Sequence, residues 1–214
     1  MSPQPEPPKP EKPTRENQLL TREQIPQSQS HFIPARYSDD ERATLVRLAH
    51  ESIDSALEER EIKLQAIPER LQEPRGAFTT LYLEGEVRGC VGYVYPVSPL
   101  FQTVIDTARS AALHDVRFLP VTKEQAARLE ISISVLSQLA TITPEEIELG
   151  KHGLMISLGS RRGLLLPQVP VEHGWDVITF LQQTCLKGGL PTDSWQHGAS
   201  IEGFTAEVFG EHSD

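Results

Sequence analysis

Two pairs of strand-like segments, each joined by a short turn, constrain the fold of this chain more than any other feature of its sequence. Residues 77–83 and 87–95 are rich in β-branched and aromatic side chains and flank a turn at Gly85. Residues 152–158 and 161–166 repeat this pattern. Short turns join antiparallel strands, whereas parallel strands need a long crossover connection. The pairs therefore predict two β-hairpins and argue against a regular βαβ repeat.

Helical periodicity places helices between these hairpins. Apolar residues recur at helical spacing after Ser38 and Glu41, which have the spacing of a capping box. Pro99 precedes a second such run and is expected in its first turn, and Gly188 ends a third. Together these patterns predict an α+β fold with a mixed, largely antiparallel sheet flanked by helices. We expect helices over residues 39–63, 99–113, 123–128 and 175–187, and single strands over 129–135 and 201–209.

The first 36 residues are predicted to form a disordered, proline-rich tail, so that the folded domain spans residues 37–214. Eight of the 17 prolines occur before residue 35, where large apolar side chains are few. Such a segment cannot bury enough apolar surface to offset the entropy lost on ordering.

Charge and composition exclude several classes of protein. The chain carries 30 acidic and 20 basic residues, a net charge of −10. An acidic surface does not favour binding to nucleic acid or to an anionic membrane. The chain has no apolar run of the ~20 residues that span a bilayer, and its first residues lack a hydrophobic stretch, so we expect no secretory signal there. Its two cysteines cannot form a disulfide scaffold, and its seven histidines lack paired metal-ligand spacing. We therefore expect a cytoplasmic protein without a metal or another cofactor.

The most unusual motif is Arg88-Gly89-Cys90-Val91-Gly92, which lies inside a predicted strand. Glycine inside a strand indicates a bulge or the close approach of a ligand or another backbone segment. In a regular strand Arg88 and Cys90 share one face, where the guanidinium would favour a thiolate and clamp a carboxylate or phosphate. The alternative is a buried thiol that packs as a small apolar side chain.

Four further residues are candidates for a site. Asp115 and Arg117 either form an ion pair that braces a loop or frame a polar pocket beside the cysteine. His152 stands at a strand entry, where an imidazole either serves as a general base or is simply solvated. Gln168 is the single polar residue of the run 163–169. It either lines a cleft or satisfies backbone groups.

Several separated segments, in order, resemble the AMMECR domain family. They are VRGCVGYVYPVSPL, AALHDVRFLP, LEISISVLS, GKHGLMISLGSRRGLLLPQV and GWDVITFLQQTCLKGGLP, within residues 39–211. The resemblance implies an α+β domain with a larger and a smaller lobe and a cleft near the RGC[IV]G motif, which Arg88, Gly89, Cys90 and Gly92 match. Asp115, Arg117 and Phe118 match the region usually written D-P-R-F, and Val116 replaces its proline.

The resemblance also implies partners. Prokaryotic members of the family are similar to the A component of the AmmeMemoRadiSam system, which pairs this domain with a Memo-like protein and a radical-SAM protein. We therefore expect such partners and a small-molecule or peptide ligand, but the resemblance specifies no reaction.

Two functions remain open. In the first, the chain is an enzyme of acyl or group transfer, in which Cys90 is the nucleophile, Arg88 its electrostatic partner and His152 a base. Backbone N–H groups near Gly89 and Gly92 would then hold an oxyanion. In the second, which we favour because no histidine is near Cys90 in the chain, the protein only binds. Its ligand would then contact the substrate-binding candidates Gly89, Gly92, Asp115, Arg117 and Gln168.

Overall fold

The computed structural model describes residues 36–212, so the predicted tail lies outside the described residues except for Arg36. Helices and strands are interspersed along the described chain. The helices are α1 (Asp39–Leu57), α2 (Leu100–Leu113), α3 (Lys123–Ala126), α4 (Val169–Glu172) and α5 (Val177–Lys187). The strands are β1 (Ala77–Leu83), β2 (Glu86–Tyr93), β3 (Glu130–Leu136), β4 (Ala140–Thr141), β5 (Gly153–Leu158), β6 (Arg161–Leu165), β7 (Ser200–Phe204) and β8 (Ala206–Gly210).

The strands form two four-stranded sheets, ordered β2-β1-β3-β8 and β4-β7-β5-β6, and neighbouring strands in each order pair antiparallel. Each sheet has its own apolar core. In the first lobe α1 and α2 pack on the first sheet around residues such as Leu45, Val104 and Ile131. In the second lobe α5 packs on β5 and β6 around Phe180 and Leu154. The α+β fold is confirmed, and its strands are divided between two sheets.

Helix α1 is shorter than its predicted range of 39–63. It keeps the predicted capping box at Ser38 but ends at Leu57, the last apolar residue of its periodic run. The next residues are charged, and Glu59 takes a positive φ of 54° that no helix continues. Arg60 then folds back to bind Glu51, and its guanidinium lowers the pKa of that carboxyl to about 2. Pro99 also differs from expectation, since it is the N-cap of α2 rather than a first-turn residue.

The predicted strand 201–209 is two strands in different sheets. It breaks at Thr205, so that β7 belongs to the second sheet and β8 to the first. The segment from β3 to β4 makes the same crossing in the opposite direction, because β3 pairs with β8 and β4 with β7. At the bend, the Ser137 N–H donates to the Thr205 carbonyl at 2.8 Å, and the Thr205 N–H donates to Ser137 Oγ at 3.0 Å. One two-stranded ribbon therefore joins the lobes.

We predict that Ser137→Ala destabilises the protein by about 1–3 kcal/mol, because it leaves the Thr205 N–H without its acceptor at a residue only 3% exposed. Equilibrium unfolding in urea measures the change. Ser160→Ala, in the exposed turn between β5 and β6, is the matched control and should be neutral. Equal stability of the two variants would contradict the role given to the bend.

Candidate functional site

A cleft of about 400 Å³ lies between the outer face of the first sheet and loops of the second lobe. Side chains alternate along β1, so Thr79 and Leu81 face the core below α2 while Thr80 and Tyr82 face the cleft. The second lobe contributes Gln168 and others to the opposite wall. The hydroxyl-bearing residues of the sheet wall are Thr80, Tyr82, Ser132 and Ser134.

Cys90 adjoins this wall. It is the register partner of Thr80, and the Thr80 hydroxyl donates to Cys90 Sγ at 3.3 Å. The thiol is half-buried, whereas Cys185, the other cysteine of the chain, is fully buried in α5. Burial raises the pKa of the Cys185 thiol. Cys90 is therefore the one cysteine that a reagent or ligand can reach without unfolding.

Asp115 and Arg117 hold the backbone of Cys90 from the open edge of β2. The Cys90 N–H donates to Asp115 Oδ2 at 2.9 Å, and Arg117 Nη2 donates to the Cys90 carbonyl at 3.1 Å. Arg117 also donates two hydrogen bonds to the Asp115 carboxylate, from Nε at 2.9 Å and from Nη2 at 2.6 Å. We call this arrangement the Asp115–Arg117 clamp. It occupies edge groups of β2 that would otherwise face solvent or another strand.

Within the clamp, the Asp115 carboxylate and the Arg117 guanidinium form an ion pair. The Asp115 side chain is only 6% exposed. Hydrogen bonds from the Arg117 guanidinium, and then from the backbone N–H groups of Cys90 and Arg117, hold the pKa of Asp115 well below its usual range despite the opposing effect of burial. The same contact raises the pKa of Arg117. Asp115 is therefore ionised at neutral pH and fully engaged, which leaves it unsuited to act as a base.

The two glycines of the motif accommodate other parts of the same chain. A Cβ at Gly89 would overlap the carbonyl of Ala111 in α2, and a Cβ at Gly92 would overlap the Phe78 ring. The close approaches that the glycines predict are thus made by a helix backbone and an aromatic side chain. Gly89 and Gly92 shape the strand beside the cleft without lining that cleft themselves.

The expectation that Arg88 and Cys90 share one face is wrong, because β2 is not regular there. Val87 pairs with Tyr82 and Gly89 pairs with Leu81, so Arg88 is the extra residue of a β-bulge. Its guanidinium lies 3.4 Å from the Pro120 carbonyl and 3.3 Å from Gln125 Oε1. Arg88 therefore binds the loop before α3, and no hydrogen bond joins it to Cys90.

His152 is likewise not brought to Cys90. It precedes β5 in the second lobe, is 3% exposed, and its Nδ1 accepts the Glu148 N–H at 3.1 Å. Burial lowers the pKa of His152, with a smaller contribution from the charge of Lys151, so the ring is neutral at pH 7. Among the predicted site residues, Gln168 lines the cleft directly. Cys90 is connected to the cleft through its hydrogen bond with Thr80.

Most residues of the cleft wall were not predicted from the sequence. Ser132 and Ser134 alternate with apolar residues along β3 and resemble the solvent-facing side of a half-buried strand. The available signal was their size, because exposed strand faces commonly carry longer or charged side chains. Across residues 36–212, no group of three or more His, Cys, Asp or Glu side chains is placed to hold a metal ion. No helix in that range is long and apolar enough to span a membrane.

We predict that Gly92→Ala destabilises the protein by about 1–3 kcal/mol through overlap with the Phe78 ring. The cost should shrink in a Phe78→Ala background, where the ring is gone. Gly89→Ala is the matched control, since it meets the Ala111 backbone and its cost should be the same in both backgrounds. Urea unfolding of the two double-mutant cycles measures these terms. If Gly92→Ala lowers the free energy of unfolding equally in the wild-type and Phe78→Ala backgrounds, overlap with the ring is not the cause.

We predict that Asp115→Asn destabilises the protein by about 1–3 kcal/mol at pH 7, because it removes the charged acceptor of the clamp. The folded-state pKa of Asp115 is depressed, so its stabilisation is present above the ~3.9 of an unfolded aspartate and is lost as pH falls below it. Urea unfolding should show that the free energies of unfolding of wild type and Asp115→Asn differ less at pH 3 than at pH 7. Asp54→Asn, at an exposed position of α1, is the control, and a difference that widens in acid would contradict the prediction.

Comparison with known proteins gives a consistent result. The AMMECR1 family model matches residues 46–209. A protein of Aquifex aeolicus is 41% identical over 177 residues, which cover 78% of this chain and 91% of that protein. A protein of Methanocaldococcus jannaschii is 41% identical over 182 residues, covering 80% and 90%. The crystal structure of an uncharacterized protein from Pyrococcus horikoshii superposes with a TM-score of 0.76 at 38% identity, covering 81% of this chain and 92% of that one. Matched over most of its length in sequence and in fold, the chain belongs to the AMMECR1 family.

Proposed function

We propose that this protein is a binding component that holds a small molecule or peptide in the cleft beside the RGCVG motif and acts with Memo-like and radical-SAM partners. One observation carries the proposal. Cys90 Sγ accepts a hydrogen bond from the Thr80 hydroxyl and also interacts with the Arg117 guanidinium, and no histidine or carboxylate among residues 36–212 is bonded to the sulfur. A nucleophilic cysteine is normally activated by an adjacent base, and Arg117, the cation beside this thiol, is already paired with Asp115.

The other groups that catalysis would need are engaged elsewhere. Asp115 is bound by Arg117 and by the backbone of Cys90, and His152 is buried beside Glu148. Among the backbone N–H groups near Gly89 and Gly92 that could hold an oxyanion, that of Cys90 already donates to Asp115. The ordered backbone and the polar cleft beside it support binding better than they support nucleophilic chemistry.

A cysteine-dependent transferase is the second candidate. The observation in its favour is the half-exposed thiol at the border of a cleft. The two candidates differ in what Cys90 and Arg88 must do. An enzyme needs the sulfur and an activating cation, whereas a binding component needs the clamp and the shape of the wall.

We predict that Arg88→Ala leaves the rate of Cys90 alkylation by iodoacetamide unchanged across pH 6–10, because the guanidinium lies on Pro120 and Gln125. Mass spectrometry of native protein locates the adduct, and Arg128→Ala, at an exposed residue that pairs with Glu84 of the β1–β2 turn, is the matched control. If the pH dependence of the alkylation rate moves to higher pH in Arg88→Ala but not in Arg128→Ala, Arg88 activates the thiol and the cysteine-dependent enzyme is favoured.

The proposal further predicts that Cys90→Ser still forms complexes with Memo-like and radical-SAM proteins of the same organism. Size-exclusion chromatography of the purified mixtures measures complex formation, with wild-type protein as the reference. Serine keeps the side-chain size and the contact with Thr80, so a binding component should be unaffected. Absence of complexes with wild-type protein would overturn the partner assignment.

A further inference from the structure

The sheet wall of the cleft carries a row of hydroxyls. Thr80 of β1 and Ser132 of β3 are register partners, and Ser134 follows two residues along β3 on the same face. Cross-strand neighbours lie about 5 Å apart and residues i and i+2 about 7 Å apart. The three hydroxyls are therefore spaced so that adjacent polar groups of one small molecule can reach them.

Two of these hydroxyls have no hydrogen-bond partner within the part of the chain that the structure describes. Thr80 donates to Cys90 Sγ, but no hydrogen bond of Ser132 Oγ or Ser134 Oγ is present. Ser134 is only 6% exposed, and its side chain lines the cleft. A ligand in the cleft can therefore bond these hydroxyls without breaking a hydrogen bond within the described residues.

The charges at the cleft select against anions. Glu172 of α4 lines it, and none of the described residues lining it is lysine or arginine. His212 also lines it, but its Nδ1 lies 2.8 Å from Glu130 Oε2 and its ring stacks on Tyr82 at 3.7 Å. The arginines of the motif region are bound elsewhere. The carboxylate of Glu172 is thus the charge available to a ligand.

We infer that the cleft binds a small organic cation, a primary amine that also bears hydroxyl or amide groups. The ammonium would pair with Glu172, and the hydroxyl or amide groups would bond Ser132 and Ser134. A volume of about 400 Å³ suits a small molecule. The inference rests on the proposed function, because it names the ligand class of the same cleft, and it replaces the carboxylate or phosphate that Arg88 was predicted to clamp.

The test uses two sets of probes that differ mainly in charge: glucosamine, glucose and glucuronate, and ethanolamine, ethylene glycol and glycolate. Amide chemical-shift changes in the labelled full chain give both the affinity and the location of binding. Each amine should bind roughly fivefold more tightly than its neutral analogue, the scale of one partly exposed ion pair. Each carboxylate should bind most weakly, and the shifts should centre on Ser132 and Ser134.

Two variants separate the contributions of charge and hydroxyl. Glu172→Gln should equalise the affinities of glucosamine and glucose, and Glu145→Gln, at an exposed residue away from the cleft, should preserve their difference. Ser134→Ala should weaken both probes, and Ser157→Ala on β5 should weaken neither.

Equal binding within each probe set, tighter binding of the carboxylates, or no shifts at the cleft would overturn the inference. Complex formation with the Memo-like and radical-SAM proteins is measured separately. If the complexes form and the amine preference is absent, the ligand class is wrong and the binding component stands. If neither is observed, the proposed function fails as well.

Discussion

The bend of the two-stranded ribbon at Ser137 and Thr205 is the constraint on which both lobes and the cleft depend. Each strand of the ribbon begins in one sheet and ends in the other. The same two segments therefore contribute strands to both sheets. Reciprocal hydrogen bonds hold the bend where Thr205 is buried. Because β3 carries Ser132 and Ser134 and β8 carries Val208, the ribbon that joins the lobes also supplies much of the cleft wall.

Local patterns in the sequence predicted the fold class, because hairpins and helices are specified by nearby residues. The period-two alternation of β1 and the turn at Gly85 required no knowledge of distant contacts. The crossing at Thr205 left no such local mark. Threonine is typical of strands, so the run 201–209 is continuous in pattern although its two halves pair in different sheets. Sheet membership is a tertiary property, and the alternation of one strand does not encode it.

The same limit applies to the site. The RGCVG motif is recognisable in the sequence, but the role of each residue depends on what packs against it. The glycines indicated a bulge or a close approach, but they did not specify that Arg88 is the extra residue, whose side chain binds Pro120 and Gln125. Asp115 was singled out as a residue that braces a loop or frames a pocket beside the cysteine, and its acceptor role toward the Cys90 backbone required the loop to be placed in space.

The clamp and the cleft wall are two sides of one edge strand. Asp115 and Arg117 hold the main chain of Cys90 from outside the sheet, and Thr80 contacts its sulfur from within. A wall held on both sides loses little conformational freedom when a ligand binds, which favours affinity. The motif arginines are also satisfied internally, so they add no cationic group to the cleft, and Glu172 is left as its charged group. The cleft where a ligand would be held therefore carries a negative charge, the same sign as the net charge of the whole chain.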